Sequence, residues 1–267
     1  MRLVKINEFL HSLNMELNAS KTHTLVFFTE VFDDLSLDSQ YVKSCTSFKY
    51  LGMHIDNKLN WSIHVSHAIS RVQKSLYILY RSTSSNMQRR RLLFQAYIYP
   101  HFLFGIQLYM FCSNTLRAKL ESLFRRCCRI VIRDAVYPHQ VTRLSVYSSL
   151  NVFPLRLTFQ LTSAIILFRI LILKQIPSVH SHFHTTEQTM YNARRVPVDA
   201  IVLRIPRVSS ERAKHNFMYL GAVLWNSIPM DIRRLTSLIA FKNSYVFYLN
   251  SKLPEALEDN YDIFNFL

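Results

Sequence analysis

The sequence predicts a mostly α-helical protein with a small α/β start, and three observations predict it. Hydrophobic period changes after Asn60, from short β-prone runs to apolar residues at steps of three and four. Gly is scarce, 3 in 267 residues, leaving little material for tight hairpins or glycine-rich phosphate loops. Hydrophobic residues make up 49% and mean hydropathy is +0.07, so the chain has the means to bury a core and is no disordered polyelectrolyte.

Taken in order, residues 3–20 read as a helix entering a polar turn, Leu17-Asn18-Ala19-Ser20. Residues 24–28, rich in β-branched and aromatic side chains, read as a strand, and the acidic stretch 30–38 as a loop. A second β-prone run covers 48–55, with Gly52 at a bulge, and Asp56-Asn57 closes it. Asn60 is the expected N-cap of a helix whose inward face is Trp61, Val65, Ile69, Val72, Leu76 and Leu79. A second helix is expected over 87–99, kinked or ended by Pro100, with an apolar segment at 102–111. A third covers 116–133, with Leu116, Leu120, Phe124, Cys127 and Val131 inward. Residues 151–176 read as a buried apolar helix and 177–199 as a polar, His-rich linker or exposed loop. Over 204–253, two amphipathic helices are expected around Gly221, Trp225 and Phe241. The resulting division is 1–59, 60–176, 177–203 and 204–267.

Charge is the strongest functional signal. Residues 57–186 hold 17 Lys and Arg against two acids, Glu121 and Asp134, so the whole net charge of +15 lies there. A concentrated excess of this kind is a field aimed at a polyanion, either nucleic acid or an anionic membrane. The membrane is disfavoured because Arg156, Arg169 and Lys174 interrupt the best apolar stretch. One charge at mid-span costs about 2.5–3.5 kcal/mol. The N-terminal residues show no long apolar h-region, and Cys45, Cys112, Cys127 and Cys128 form no CxxC pair. The expected setting is intracellular, cytoplasmic or nuclear, not secreted.

Two basic stripes stand out: His67, Arg71, Lys74 and Arg81 on the first long helix, and Arg125, Arg129 and Arg133 on the third. Either is a solvated helix face or a phosphate-contacting one; the scarcity of accompanying acids favours contact for the first. The alternating histidines His180, His182 and His184 could meet one metal, but no Cys or carboxylate other than Glu187 lies nearby, so a polar loop is expected.

Three segments together resemble the reverse transcriptases of non-LTR (LINE-like) retrotransposons. The first is Leu17-Asn18-Ala19-Ser20-Lys21-Thr22 leading to Val26-Phe27-Phe28. The second, and most specific, is Phe48-Lys49-Tyr50-Leu51-Gly52-Met53-His54-Ile55-Asp56, with Leu59-Asn60-Trp61 and His64. The third runs from Phe217 to Pro229 through Trp225-Asn226, with Ile232-Arg233 and Phe241-Lys242. The resemblance implies a partial palm with a primer-grip strand (1–59), a helical thumb (60–176) and a family-specific helical C-terminal region. Lys21 would match a lysine beside the leaving pyrophosphate, and Lys49, Tyr50, Leu51 and Gly52 would form the primer grip. The stripe from His67 to Arg81 falls where the thumb begins. The implied partners are RNA and an RNA–DNA template–primer duplex.

The complete family enzyme uses paired Asp residues to hold Mg²⁺ in a turn just upstream of the first segment. Here the sixteen residues before Leu17 contain no Asp, and Asp33-Asp34 lies on the wrong side of Lys21. No catalytic residue, metal ligand or cofactor is therefore expected in this chain, which reads as a truncated polymerase region that binds without catalysing. The rival reading is a basic helical interaction protein without polymerase function, or a relic reading frame that does not fold.

Overall fold

The computed structural model describes residues 2–28, 35–37, 40–82, 86–132, 142–185, 201–214 and 216–257. It is mostly helical with a small sheet region at the start. Helix α1 (Arg2–Ser12) is shorter than expected. Asn14 takes a left-handed conformation (φ 52°), and the Met15 and Asn14 N–H groups donate back to the Leu10 and His11 carbonyls, closing the helix. A 3₁₀ turn at Ala19–Lys21 follows. The three-stranded sheet has β3 (Gln40–Ser44) at its centre, parallel to β1 (His23–Thr24) and antiparallel to β2 (Leu35–Leu37). Of the expected strand over 24–28, only Thr24 lies in β1. Phe28 turns left-handed (φ 64°), its N–H donates to the Asn57 carbonyl, and Phe27 and Phe28 remain exposed. Strand β3 and the part of the acidic stretch that forms β2 were unforeseen, because Gln40, Lys43 and Ser44 give no apolar alternation. The pair Asp33-Asp34 lies outside the described residues.

The run 48–55 is not one bulged strand but a hairpin, β4 (Ser47–Tyr50) with β5 (Met53–Asp56). Leu51 (φ 47°) and Gly52 (φ 87°) form its two-residue turn, both left-handed, the combination a type I′ turn needs. A Cβ on Gly52 would lie 3.1 Å from Phe104 Cζ. Asp56 then organises the passage into α2 (Ser62–Arg81). Its buried carboxylate accepts the N–H groups of Lys58 (3.1 Å), Asn60 (3.1 Å) and Trp61 (2.9 Å). These bonds hold the left-handed residues Leu59 and Trp61 in place. Trp61, not Asn60, is the capping position, and the Asn60 amide oxygen accepts the Ser62 N–H. The expected inward residues Val65, Val72, Leu76 and Leu79 are buried, with Ile69 packed beside them.

Helix α3 (Met87–Leu93) is capped by Asn86, whose side chain accepts the Arg89 N–H. Pro100 does not end the helical path. A π turn at Phe94–Ile98 widens the backbone ahead of it, and α4 (Tyr99–Leu103) continues with Pro100 in its first turn, where no N–H is needed. Gly105 (φ 74°) then turns the chain into a 3₁₀ segment, Ile106–Phe111, which precedes α5 (Asn114–Ile132).

After α6 (Arg143–Leu150), Asn151 is left-handed (φ 52°), so the apolar helix expected over 151–176 starts later, as α7 (Leu155–Leu171). Glu121 on α5 accepts the Arg156 N–H at 2.8 Å and the Tyr109 hydroxyl at 3.1 Å, anchoring the start of α7. Helix α7 is buried around most of its circumference because it joins two cores. One is built on α2 to α6; the other holds Leu167, Phe168, Trp225 and Phe241. Among the described residues no single helix is long and apolar enough to cross a membrane, and α6 and α7, which meet the requirement only together, are bent by 48°.

The start of the expected linker is largely exposed, as expected, but not structureless: α8 (Pro177–His180) has no buried residue and leads to Phe183, which lies against Gly221 and Phe217, and Thr185 bridges Leu203. Residues 186–200 lie outside the described set. After α9 (Glu211–Lys214) come α10 (Phe217–Ser227), α11 (Met230–Arg233) and α12 (Leu238–Ala256). The third segment acts here as a clamp on one backbone stretch. Trp225 Nε1 and Arg233 Nη1 donate to the Ile201 carbonyl, and the Asn226 amide bonds both the N–H and the carbonyl of Leu203. Arg233 Nε also donates to the Ile228 carbonyl.

Candidate nucleic-acid interface

The hairpin register sets Lys49 directly opposite His54, so both side chains leave the same face. Strand β5 packs on α2, and there the His54 ring stacks on His67, centroids 4.0 Å apart and 6° from parallel. Arg71 follows one turn later and Lys74 two turns later; His67, Arg71 and Lys74 are all exposed. Lys49, His54, His67, Arg71 and Lys74 therefore form one continuous basic strip crossing from sheet to helix. Arg81 extends it, held on the helix by Tyr77, whose hydroxyl accepts from Nη1 at 2.9 Å.

Among the described residues, Asp56 is the acid nearest this strip in the chain, and its carboxylate is taken up by backbone N–H groups. Glu121 is buried and spent on α7 and Tyr109, and burial pushes its carboxyl above the usual carboxylate range. Asp134 lies outside the described residues. Among the described residues the ion pairs Arg234–Asp231 and Lys252–Glu255 belong to the C-terminal helices.

His64 fixes the hairpin to the helix. Its Nδ1 faces the His54 N–H at 3.4 Å, and the ring also hydrogen-bonds the Phe104 backbone. Gly105 permits this approach, since a Cβ there would come within 2.8 Å of His64 Nε2. Burial, outweighing that bond, pushes the His64 pKa below the ordinary histidine value. His54 is lowered too, first by burial and then by the positive fields of His67, Lys49, His64 and Arg71.

The other expected residues are dispersed. Lys21 sits exposed in the 3₁₀ turn, where its N–H donates to the Asn18 side chain. Tyr50 and Leu51 are exposed at the hairpin tip, with Gly52 against Phe104. Arg125 is half-buried beside Tyr147, Arg129 is exposed, and Arg133 lies outside the described residues. Of the triplet Arg89-Arg90-Arg91, Arg90 is 1% exposed and its Nε donates to the Val131 carbonyl at the end of α5. Trp225 is fully buried. Among the described residues no group of three or more His, Cys, Asp or Glu could hold a metal ion, His180, His182 and His184 included.

Sequence reasoning left His54 and His64 without a role, although both stand in the second segment, and it passed over His101. Only the packing of α4 against α2 brings His101 to the same place. Fold and site together define a two-core helical protein with a small sheet region and a basic strip along its hairpin and first long helix. The chain matches no family model, no curated protein and no solved structure.

Proposed function

We propose that this chain binds the sugar–phosphate backbone of a nucleic-acid duplex, of the RNA–DNA template–primer kind, through the β4–β5 hairpin and the exposed flank of α2. On this reading it is the primer-grip and thumb portion of a non-LTR retrotransposon reverse transcriptase, non-catalytic by itself. The observation that carries the reading is the alignment of Lys49, His54, His67, Arg71 and Lys74 on one surface. The three resembling segments support it by the order in which they occur. A rigid helix with cations at successive turns suits phosphate positioning rather than base reading, and A-form duplexes are gripped mainly through backbone and 2′-hydroxyl groups.

Phosphate contact releases counterions, so the log of the association constant falls linearly with log salt. For ~4–6 contacts the slope is roughly −3 to −5. Fluorescence anisotropy with a labelled RNA–DNA duplex over a salt series tests the reading. A slope in that range supports it, and an affinity insensitive to salt overturns it.

A further inference from the structure

We propose that the small pocket between the hairpin, α2 and α4 is a proton-coupled phosphate site, in which His54, His67, His101 and Arg71 take one phosphate group. Gly52, His64, Ala68 and Phe104 complete its lining. The proposal rests on the reading given above, because the backbone of the bound duplex supplies the phosphate.

Five features make the site. Four imidazoles and a guanidinium from three different elements line one concavity, which is a convergence of donors rather than a stripe on one helix. The His54 and His67 rings are stacked face to face at 4.0 Å, and the charged groups that act on His54 among the described residues all disfavour its protonation. The surrounding groups add to this: Lys49 from β4, and His64 and Arg71 from α2, all oppose protonation of His54. The nearest carboxylate in sequence, Asp56, is occupied by three backbone N–H groups. His64 is committed to the His54 N–H and the Phe104 backbone, so it holds the walls in place rather than facing the ligand.

A phosphate in this pocket supplies a counterion. Its arrival raises the proton affinity of His54, and by linkage the pocket binds phosphate more tightly once His54 is protonated. The sign follows directly. Affinity is highest below the pKa of His54 in the free protein and declines as pH rises through its pKa with phosphate bound. A phosphodiester does not titrate near neutrality, so the dependence belongs to the protein.

The test is duplex binding at fixed ionic strength from pH 5.5 to 8.0, comparing the full chain with the double variant His54→Asn and His67→Asn. The parent is expected to lose about tenfold in affinity across the range, as one imidazolium contact disappears, and the variant less than about threefold. Equal pH profiles, with salt dependence intact in both, overturn the pocket and leave the proposed function standing. A second measurement does not depend on the variants folding: histidine ring NMR of the parent titrated with sulfate, a dianion throughout this range. Shifts of the His54 and His67 ring signals that saturate at lower sulfate as pH falls support the site. If they occur without any duplex binding, the pocket is an oxyanion site and the duplex reading fails alone. Absence of saturable shifts at pH 5.5 overturns the pocket outright.

Discussion

Asp56→Asn removes a charge and one acceptor while leaving the side chain's size unchanged. In the parent, Oδ1 accepts from the Lys58 and Asn60 N–H groups and Oδ2 from the Trp61 N–H at 2.9 Å. An Asn oxygen can retain the first two as neutral bonds, each worth about 1 kcal/mol less than its charged counterpart. The Asn amide nitrogen then faces the Trp61 N–H, donor against donor, costing about 1–3 kcal/mol. Lys58 and Asn60 are exposed and can turn partly to water, which trims the total to about 2–4 kcal/mol. For a chain of this size that lowers the melting temperature by roughly 5–15 °C. Urea unfolding followed by far-UV circular dichroism reads the change. A loss below about 0.5 kcal/mol would refute the idea that this carboxylate holds the hairpin-to-helix passage, and with it the reason His54 sits over His67.

Burial raises the Glu121 pKa in the folded state, so its stabilising contribution is fully present below the unfolded value of about 4.3 and is lost as pH rises through the folded value. Unfolding of the parent and Glu121→Gln at pH 4 and pH 7 should show the balance moving toward Gln at the higher pH; a constant difference contradicts this. Gly221→Ala places a Cβ 3.1 Å from Leu167 Cδ2 and 3.2 Å from Phe183 Cζ, an overpacking that costs about 1–3 kcal/mol by denaturant midpoint. Arg233→Met strips donors from the Ile228 and Ile201 carbonyls and should cost about 2–4 kcal/mol; a neutral effect would mean that the clamp on residues 201–203 is not needed for stability.

The helices that were legible in the sequence are those whose apolar positions recur at one period and face one core. Helix α2 is the clearest case, and Phe124, Cys127 and Val131 on α5 are buried as expected. The hairpin was hidden because its turn puts Leu, not Asn or Asp, at a left-handed position. That choice carries a strain of about 1–2 kcal/mol, which pairing on both sides offsets. Pro100 was legible as an interruption but not in its form: the regular α-helix stops at Leu93, and the π turn at Phe94–Ile98 lets a new one begin with Pro100 in its first turn. Arg90 was indistinguishable from its neighbours as a residue type, and only the end of α5, forty residues away in the chain, makes it a buried donor. The basic flank of α2 was legible because it lies on one helix. The contributions of Lys49, His54 and His101 were not, because they come from separate elements whose docking no local pattern encodes.

The central claim is that one face, rather than net charge at large, grips the duplex. The measurement that bears on it most directly compares two double variants, each removing two positive charges. Arg71→Gln with Lys74→Gln acts on the strip; Arg169→Gln with Lys174→Asn acts at and just beyond the end of α7, on exposed residues, with Asn chosen because Lys174 is left-handed (φ 50°). The log–log salt slope for RNA–DNA duplex binding should become shallower by about two for the first pair and stay within about 0.5 of the parent for the second. Equal losses of slope in the two variants would contradict the claim, because binding would then follow total charge and not this surface.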